Sequence, residues 1–274
     1  MPELPEVEVI RQGLARCLSG RRITAIAWSG QKLRLPVPRG RLIRWCKGAT
    51  ILSVERRAKY LLLRLDNSAL LIIHLGMSGR LGLFAADARP ARHDHLRWRL
   101  DDDRELRLND TRRFGSVQVL EPGGEQEEVI FRGTGPEPFA TAFSTAYLLE
   151  KAARRQQPVK NFLMDGRVVA GIGNIYASEI LFAAGIAPAK PAAGLTSQAW
   201  QKIIVCSRQV LERAIASGGT TIADYVDSSG RPGYFQLELA VYGRAGQACR
   251  ACGVAIQRQV MAGRATYFCP RCQG

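Results

Sequence analysis

The sequence predicts an α+β fold in which an N-terminal β-sandwich precedes a helical part and a cysteine-rich module. Short β-prone segments separated by turn residues fill residues 22–120, and longer segments with helical spacing of apolar residues follow them. Two Cys-x2-Cys pairs lie near the C-terminus. A chain of 274 residues, 46% of them hydrophobic, is long enough for about two domains with separate cores.

The first predicted element is a helix over residues 5–18. Val7, Ile10 and Leu14 recur at helical spacing on one face, and Gly20 marks the end of the helix. A proline and acidic residues in its first turn are what a helix N-terminus favours, because they fit its free N–H groups and its dipole.

Seven short strands are predicted next. Strands at this spacing favour a sandwich or a barrel over a parallel sheet. Hairpin turns are expected at residues 66–68 and 101–103, where Asp, Asn and Ser cluster. The predicted strands comprise residues 23–28, 51–54, 60–65, 69–74, 96–100, 105–108 and 116–120.

The helical part begins after a connecting segment at residues 121–138, which is rich in glycine and proline. Ser144 is expected to cap a helix that reaches about residue 154, and three further helices should begin at Pro158, near Asn174 and at Thr196. Residues 220–238 are predicted to form a mobile glycine-containing loop leading to a short strand at 235–239.

Positive charge is the strongest compositional signal. The net charge is +15 and the pI is about 10.0. Such an excess indicates a polyanionic partner, most simply nucleic acid. An anionic membrane surface is the competing partner, but no basic amphipathic helix with an aromatic face stands out. No apolar stretch approaches the ~20 residues of a membrane span, and no signal segment is recognisable, so we expect a cytoplasmic protein.

Four cysteines have the spacing of a zinc site. Cys249, Cys252, Cys269 and Cys272 form the pattern C-x2-C-x16-C-x2-C. Four thiolates leave no open coordination position, so we expect one structural Zn²⁺. The remaining cysteines, Cys17, Cys46 and Cys206, lie in apolar contexts typical of core residues and indicate a reducing compartment.

The N-terminus is a candidate nucleophile. If Met1 is removed, the chain begins with the secondary amine of Pro2, followed by the carboxylate of Glu3. An α-amine has a pKa near 7.7–8.0, about two and a half units below that of lysine, so much more of it is neutral and nucleophilic. A secondary amine that attacks an aldehyde-level carbon forms an iminium, and nearby carboxylates can transfer protons. The structural alternative is that Pro5 and the acidic residues only begin a helix.

Two further segments could contact DNA. Gly171-Ile-Gly-Asn174 precedes a predicted helix, where free N–H groups suit a phosphate, although such patterns are often only a turn and a cap. Met77 and Phe114 lie in glycine-containing turns, the second beside Arg112 and Arg113. If exposed, these side chains could wedge into a base stack; the alternative is that they are core residues.

Three basic residues leave more than one interpretation open. Lys59 precedes an apolar strand and is either a proton carrier or one charge of a basic face. His93 and His95 fall on one side of a predicted strand, which raises the question of zinc. No third ligand is evident, so phosphate contact or solvation is favoured for this pair.

Taken together, the motifs resemble those of the bacterial formamidopyrimidine-DNA glycosylases over the chain from Pro2 to Cys272. The resemblance implies an N-terminal β-sandwich flanked by helices, then a helix–two-turns–helix domain with a zinc finger. It also implies a glycosylase and abasic-site lyase that removes oxidised purines, chiefly 8-oxoguanine opposite cytosine, from duplex DNA. The matching segments are residues 1–8, 56–60, 74–79, 112–115, 173–179 and the four cysteines.

The resemblance also implies roles for individual residues. Pro2 is the nucleophile at C1′, Glu3 the acid/base partner, and Glu6 orients the N-terminus. Lys59 takes part in proton transfer, and Arg264 in phosphate binding and the final elimination. The residues that the resemblance assigns to DNA binding are His93, Arg112, Arg155, Met77, Phe114 and Asn174, of which Met77, Arg112 and Phe114 fill the vacated stack.

Threonine at position 111, where the family often has proline, is a departure that removes no functional side chain. We expect domains at residues 2–132, 133–238 and 239–274, and a monomer that works on the bacterial nucleoid. Two alternatives are an endonuclease VIII-like enzyme for oxidised pyrimidines and a non-catalytic DNA-binding protein. Retention of Met1 would favour the latter, because Pro2 would then be an amide nitrogen.

Overall fold

The computed structural model describes residues 2–123, 125–218 and 239–274. Contacts divide them into two compact units, the first formed by residues 2–132 with Gly218 and the second by residues 133–217 and 239–274. The predicted loop at 220–238 lies outside the described residues. No helix in the described part of the chain combines the length and the apolar composition that a bilayer crossing requires.

The first unit is built from two four-stranded antiparallel sheets, in the orders β1-β6-β7-β5 and β2-β3-β4-β8. Helix α1, Leu4–Leu18, buries the apolar face predicted for it, with Val7 and Leu14 in the same core as strand residues such as Trp98. The strands are β1 Ile23–Trp28, β2 Ile51–Arg57, β3 Tyr60–Leu65, β4 Leu70–His74, β5 Gly79–Ala85, β6 Asp94–Leu100, β7 Arg104–Asp110 and β8 Ser116–Leu120.

Three elements of this unit were not predicted. Strand β5 carries Gly79 and Gly82, which lower β-propensity, but it pairs with β7 along its whole length. Residues 39–46 form a short α-helix, α2 at Arg39–Arg41, that continues as a π-helix at Leu42–Cys46. The connecting segment predicted at 121–138 also contains a helix that was not predicted, α3 at Glu125–Phe131.

The second unit is helical, as predicted. Its helices are α4 Thr145–Ala152, α5 Val159–Met164, α6 Asn174–Ala184 and α7 Ser197–Ala216. The predicted caps are confirmed, since the hydroxyl oxygens of Ser144 and Thr196 accept N–H bonds from the first turns of α4 and α7. Trp200 and Phe162 pack in its core with their ring centroids 5.4 Å apart. The hairpin of β9, Gln257–Met261, and β10, Arg264–Phe268, follows between the cysteine pairs.

Candidate functional site

The N-terminal residues are fixed to the start of α1. Pro2 is half-buried, while Glu3 and Glu6 are 2% and 4% exposed. Glu3 is the N-cap of the helix, and the two carboxylates form a capping box in which the Glu3 N–H donates to Glu6 Oε2 over 2.8 Å. Pro5 lies in the first turn, so this segment does begin the helix, as predicted. The same contacts hold the Glu6 carboxylate at the N–H of Glu3, the residue that directly follows Pro2.

The turn that carries Lys59 is tied to the same helix. Arg56 donates to Glu8 Oε2 of α1 over 2.9 Å and to the carbonyl of Ala58 over 3.0 Å. Burial raises the pKa of Glu8, but hydrogen bonds from Arg11, Arg56 and Gln12 outweigh it and the pKa lies below its usual range. Ala58 has a φ of 53°, which turns the chain sharply before the half-buried Lys59. Lys59 is therefore held on the body that carries Pro2.

His74 lies near Lys59 and is neutral at physiological pH. Its ring stands 4.6 Å from that of Tyr60, and its Nδ1 accepts the N–H of Gly76 over 3.1 Å. Burial, with smaller effects from Lys59 and Arg34, lowers the pKa of His74 from 6.5 to about 4. His74 therefore links the turn of Lys59 to the turn of Met77 as an uncharged acceptor.

We expect this shift to make stability depend on pH. The pKa of His74 is about 4 in the folded protein and 6.5 in an unfolded chain, so the unfolded state binds more protons between these values. The contribution is fully present above pH ~6.5 and is lost as the pH falls through the folded value, at most about 3 kcal/mol. The free energy of unfolding, measured in urea at several pH values across this range, should depend less steeply on pH in His74→Phe than in the wild type. The same pH dependence in both proteins would contradict the prediction.

The proposed wedge side chains are exposed. Met77 and Phe114 are each 43% exposed, which contradicts the interpretation of them as core residues. The guanidinium of Arg112 lies over the Phe114 ring, 4.8 Å from its centroid. The structure thus presents two apolar side chains and one cation on neighbouring loops, which is the set that the sequence predicted for insertion into a base stack.

The structure does not support a zinc site at His93 and His95. His93 precedes β6, whereas His95 is buried in it and bonds Ser29 Oγ and the Asp110 carbonyl, both over 3.0 Å. Burial lowers the pKa of His95. Among the described residues, the cluster of three or more side chains suited to a metal is the cysteine set.

The second unit positions Asn174 against the β9–β10 hairpin. A helix cap was predicted at or near Asn174. In the structure Gly173 is the N-cap of α6, and Asn174 is the first residue of the helix. Its Nδ2 donates to the Ala265 carbonyl over 3.0 Å, and its Oδ1 accepts from Lys160 Nζ over 2.6 Å. Arg264, next to Ala265, is exposed. The α6 N-terminus and an exposed arginine therefore share one local framework, which suits phosphate binding.

Sequence analysis missed two residues that build this framework. Lys160 is 1% exposed and also donates to Thr266 Oγ1 over 2.8 Å; a lysine within the apolar helix α5 was the available signal. Glu179, 7% exposed, accepts N–H bonds from Ala240, Val241 and Tyr242.

Arg155, which the resemblance assigns to DNA binding, is exposed in the turn after α4, where its N–H donates to the Ala152 carbonyl.

The four cysteines fit one zinc ion. Their sulfur atoms all lie within 4.8 Å of one another, with Cys252 and Cys269 3.4 Å apart and Cys249 and Cys272 3.9 Å apart. A tetrahedron with Zn–S bonds of about 2.3 Å has sulfur–sulfur edges of roughly 3.8 Å. The chain therefore has a four-cysteine site for one structural Zn²⁺, and its ligands leave no position for a substrate.

Comparisons with known proteins agree over the whole chain. Three family models match: the formamidopyrimidine-DNA glycosylase N-terminal domain at residues 1–117, the H2TH domain of the same enzymes at 134–226, and the zinc finger found in FPG and IleRS at 246–274. Formamidopyrimidine-DNA glycosylases of Syntrophotalea carbinolica and Halorhodospira halophila are each 46% identical over 273 residues, with 100% of both chains covered.

Solved structures show the same likeness. A Lactococcus lactis Fpg mutant in complex with Fapy-dG-containing DNA superposes with a TM-score of 0.89 at 34% identity, covering 99% of each chain. The MutM (Fpg) protein of Thermus thermophilus superposes with a TM-score of 0.85 at 37% identity, covering 100% of this chain and 99% of the other.

Proposed function

The chain belongs to the formamidopyrimidine-DNA glycosylase family, and on this basis we propose that it excises oxidised purines from duplex DNA and then cleaves the abasic strand. Formamidopyrimidines and 8-oxoguanine are the proposed lesions. The observation that carries the proposal is the N-terminal arrangement, in which Glu3 and Glu6 cap α1 directly behind Pro2. The proposed chemistry does not use the Zn²⁺, because four cysteine ligands leave this ion no open coordination position.

Pro2 is the proposed nucleophile. Its nitrogen attacks C1′ of the extruded nucleotide as the bond from C1′ to the base breaks, and the departing base takes up a proton. The attached amine then loses its proton, the C1′–O4′ bond breaks, and O4′ takes up a proton. This opens the sugar ring and leaves an iminium between the Pro2 nitrogen and C1′, which acts as an electron sink. Loss of a C2′ proton expels the 3′-phosphate, and a second elimination expels the 5′-phosphate. We assign the proton transfers to Glu3 and Lys59, and the last elimination to Arg264.

The remaining residues are proposed to bind DNA. Met77 and Phe114 would fill the gap that the extruded nucleotide leaves, with Arg112 facing the orphaned cytosine. Their exposure and the stacking of Arg112 on Phe114 support this assignment. We assign phosphate contacts to Asn174, Arg264, His93 and Arg155, which offer N–H groups or positive charge.

Turnover on two lesions tests the proposal. The purified protein should release base and cleave the strand faster on an 8-oxoguanine:cytosine duplex than on a matched thymine glycol duplex. Preference for thymine glycol would instead assign the chain an endonuclease VIII-like activity. Tight binding without product from either duplex would indicate a non-catalytic DNA-binding protein and contradict the proposal.

Affinity for DNA should fall steeply with salt, because lysine and arginine displace counterions from phosphates. Arg264→Ala should make the plot of log affinity against log salt shallower by about one unit. Arg167→Ala is the matched control, since this exposed arginine of the same unit is already paired with Asp165 at 2.8 Å. Fluorescence anisotropy measures both slopes. Equal slopes for the two variants would show that Arg264 does not contact a phosphate.

We also propose the functional division into residues 2–132 for catalysis, 133–238 for helix–two-turns–helix DNA binding and 239–274 for the zinc finger. The proposed partner is damaged double-stranded DNA, without membrane attachment. We propose a monomer that acts in the bacterial cytoplasm on the nucleoid, because one lesion requires one set of wedge and catalytic residues. Sedimentation of the protein with and without duplex DNA tests the monomer.

A further inference from the structure

Asp110, at the end of β7, is a buried carboxylate with two donors on different loops. Its side chain is 0% exposed. Oδ1 accepts the hydroxyl of Ser78 over 2.6 Å, and Oδ2 accepts the N–H of Gly115 over 2.7 Å. A buried carboxylate is stable only when its oxygens are satisfied in this way. Asp110 therefore bonds two loops at once.

These two loops carry the exposed wedge side chains. Ser78 directly follows Met77, and Gly115 directly follows Phe114. The oxygen of Ser78 also accepts the backbone N–H of Arg112 over 3.0 Å. One serine–carboxylate pair thus contacts an immediate neighbour of Met77 and of Phe114, together with the backbone of Arg112.

The backbones of the loops lie against each other. A Cβ placed on Gly76 would stand 2.3 Å from the carbonyl carbon of Phe114, and Gly76 has a φ of +65°. Only glycine permits this approach and this conformation without strain. His95 also bonds the carbonyl of Asp110, over 3.0 Å. The loops are therefore packed as one body around Asp110.

We propose that Asp110 and Ser78 are positioning residues that hold Met77, Arg112 and Phe114 as one preformed wedge. This inference rests on the proposed function. When loops become ordered on binding, the entropy that they lose makes the free energy of binding less favourable. A wedge that is ordered beforehand avoids this cost, so more of the interaction energy is available for extruding the lesion. The hydrogen bond from the Arg112 backbone to Ser78 also fixes the orientation of Arg112 toward the base opposite the lesion. Asp110 and Ser78 therefore set the preference for cytosine at that position.

The test follows wedge insertion separately from bond breaking. A 2-aminopurine placed next to 8-oxoguanine reports unstacking in stopped flow, and single-turnover cleavage of an abasic duplex reports the lyase step. Ser78→Ala should slow the fluorescence phase by about tenfold and reduce the preference for cytosine over adenine by a similar factor. The lyase rate and the melting temperature should change much less, because Pro2, Glu3 and the core are intact.

Matched variants make the result specific. Ser78→Thr keeps the hydroxyl and should recover the wild-type fluorescence rate. Ser53→Ala removes a similar serine–carboxylate bond, of 2.9 Å to Glu55, elsewhere in the same unit and should change nothing. Asp110→Asn, if it folds, should match Ser78→Ala, because the amide cannot accept both bonds.

Two outcomes would overturn the inference. Wild-type insertion and opposite-base preference in Ser78→Ala would show that the wedge does not need this pair. An equal loss in insertion, lyase rate and melting temperature would show a merely structural role. If the wild-type protein itself neither unstacks nor excises the lesion, the proposed function fails, which is distinguishable from failure of the positioning role.

Discussion

Glu3→Gln is expected to lower the rate of base excision by about 10²–10⁴-fold, the range for loss of a general acid–base group. Glutamine keeps an oxygen that can accept the helix N–H, so the capping box with Glu6 and the start of α1 should persist. What it removes is the ionisable proton beside Pro2. The expected loss is therefore chemical, and affinity for a lesion duplex should stay within about threefold of wild type.

Single-turnover excision and melting temperature separate the two contributions. Glu6→Gln is the matched control, because it changes the other carboxylate of the same capping box. Its oxygen should still accept the Glu3 N–H, and we expect a much smaller loss of rate since Glu6 only orients the N-terminus. Similar losses for both variants would show that capping, and not proton transfer by Glu3, sets the rate.

Removal of the zinc should unfold the finger and weaken DNA binding by more than about tenfold. Folding of small zinc modules depends on a metal-binding free energy of about 10–16 kcal/mol. The β9–β10 hairpin carries Arg264 and supplies the Ala265 carbonyl to Asn174 and Lys160, so loss of the finger also removes partners from the start of α6. The first unit, with its separate core, should remain folded.

Cys269→Ser is the substitution that tests this prediction, because Cys269 is buried among the other ligands. Cys206→Ser is its control; Cys206 lies in α7, away from the ligand set in sequence. Zinc content, circular dichroism and DNA affinity measured by anisotropy should all change in the first variant, and none of them should change in the second. Full DNA affinity after verified zinc loss would contradict the account.

Strong local signals made most of the fold predictable. The period of Val7, Ile10 and Leu14 indicated helix α1, and cap residues such as Ser144 and Thr196 placed helix starts within one residue. Strand β5 was not predicted because Gly79 and Gly82 are typical of turns in sequence. It forms because it pairs with β7 along its whole length. Helix α3 was not predicted because glycines and prolines lie on both sides of it in sequence. In the structure, Glu127 of this helix forms a salt bridge of 3.1 Å with Arg64 of β3.

The candidate site was predictable where chemistry fixes spacing. The cysteine pattern specifies a tetrahedral ligand set without knowledge of the fold, and a terminal Pro-Glu is a short linear motif. The residues that support the site are different in kind. Asp110, Lys160 and Glu179 acquire their importance from partners far away in sequence, for example 32 residues between Asp110 and Ser78 and 106 between Lys160 and Thr266. No local pattern carries that information.

The most direct test of the central claim is chemical trapping of the N-terminus on DNA. The protein is mixed with an 8-oxoguanine:cytosine duplex and sodium borohydride, and the adduct is mapped by mass spectrometry. The account predicts a covalent complex attached at Pro2, absent when Met1 is retained or the lesion is replaced by guanine. Excision by the active protein without a trapped complex, or an adduct at a lysine such as Lys59, would contradict the assignment of Pro2 as nucleophile.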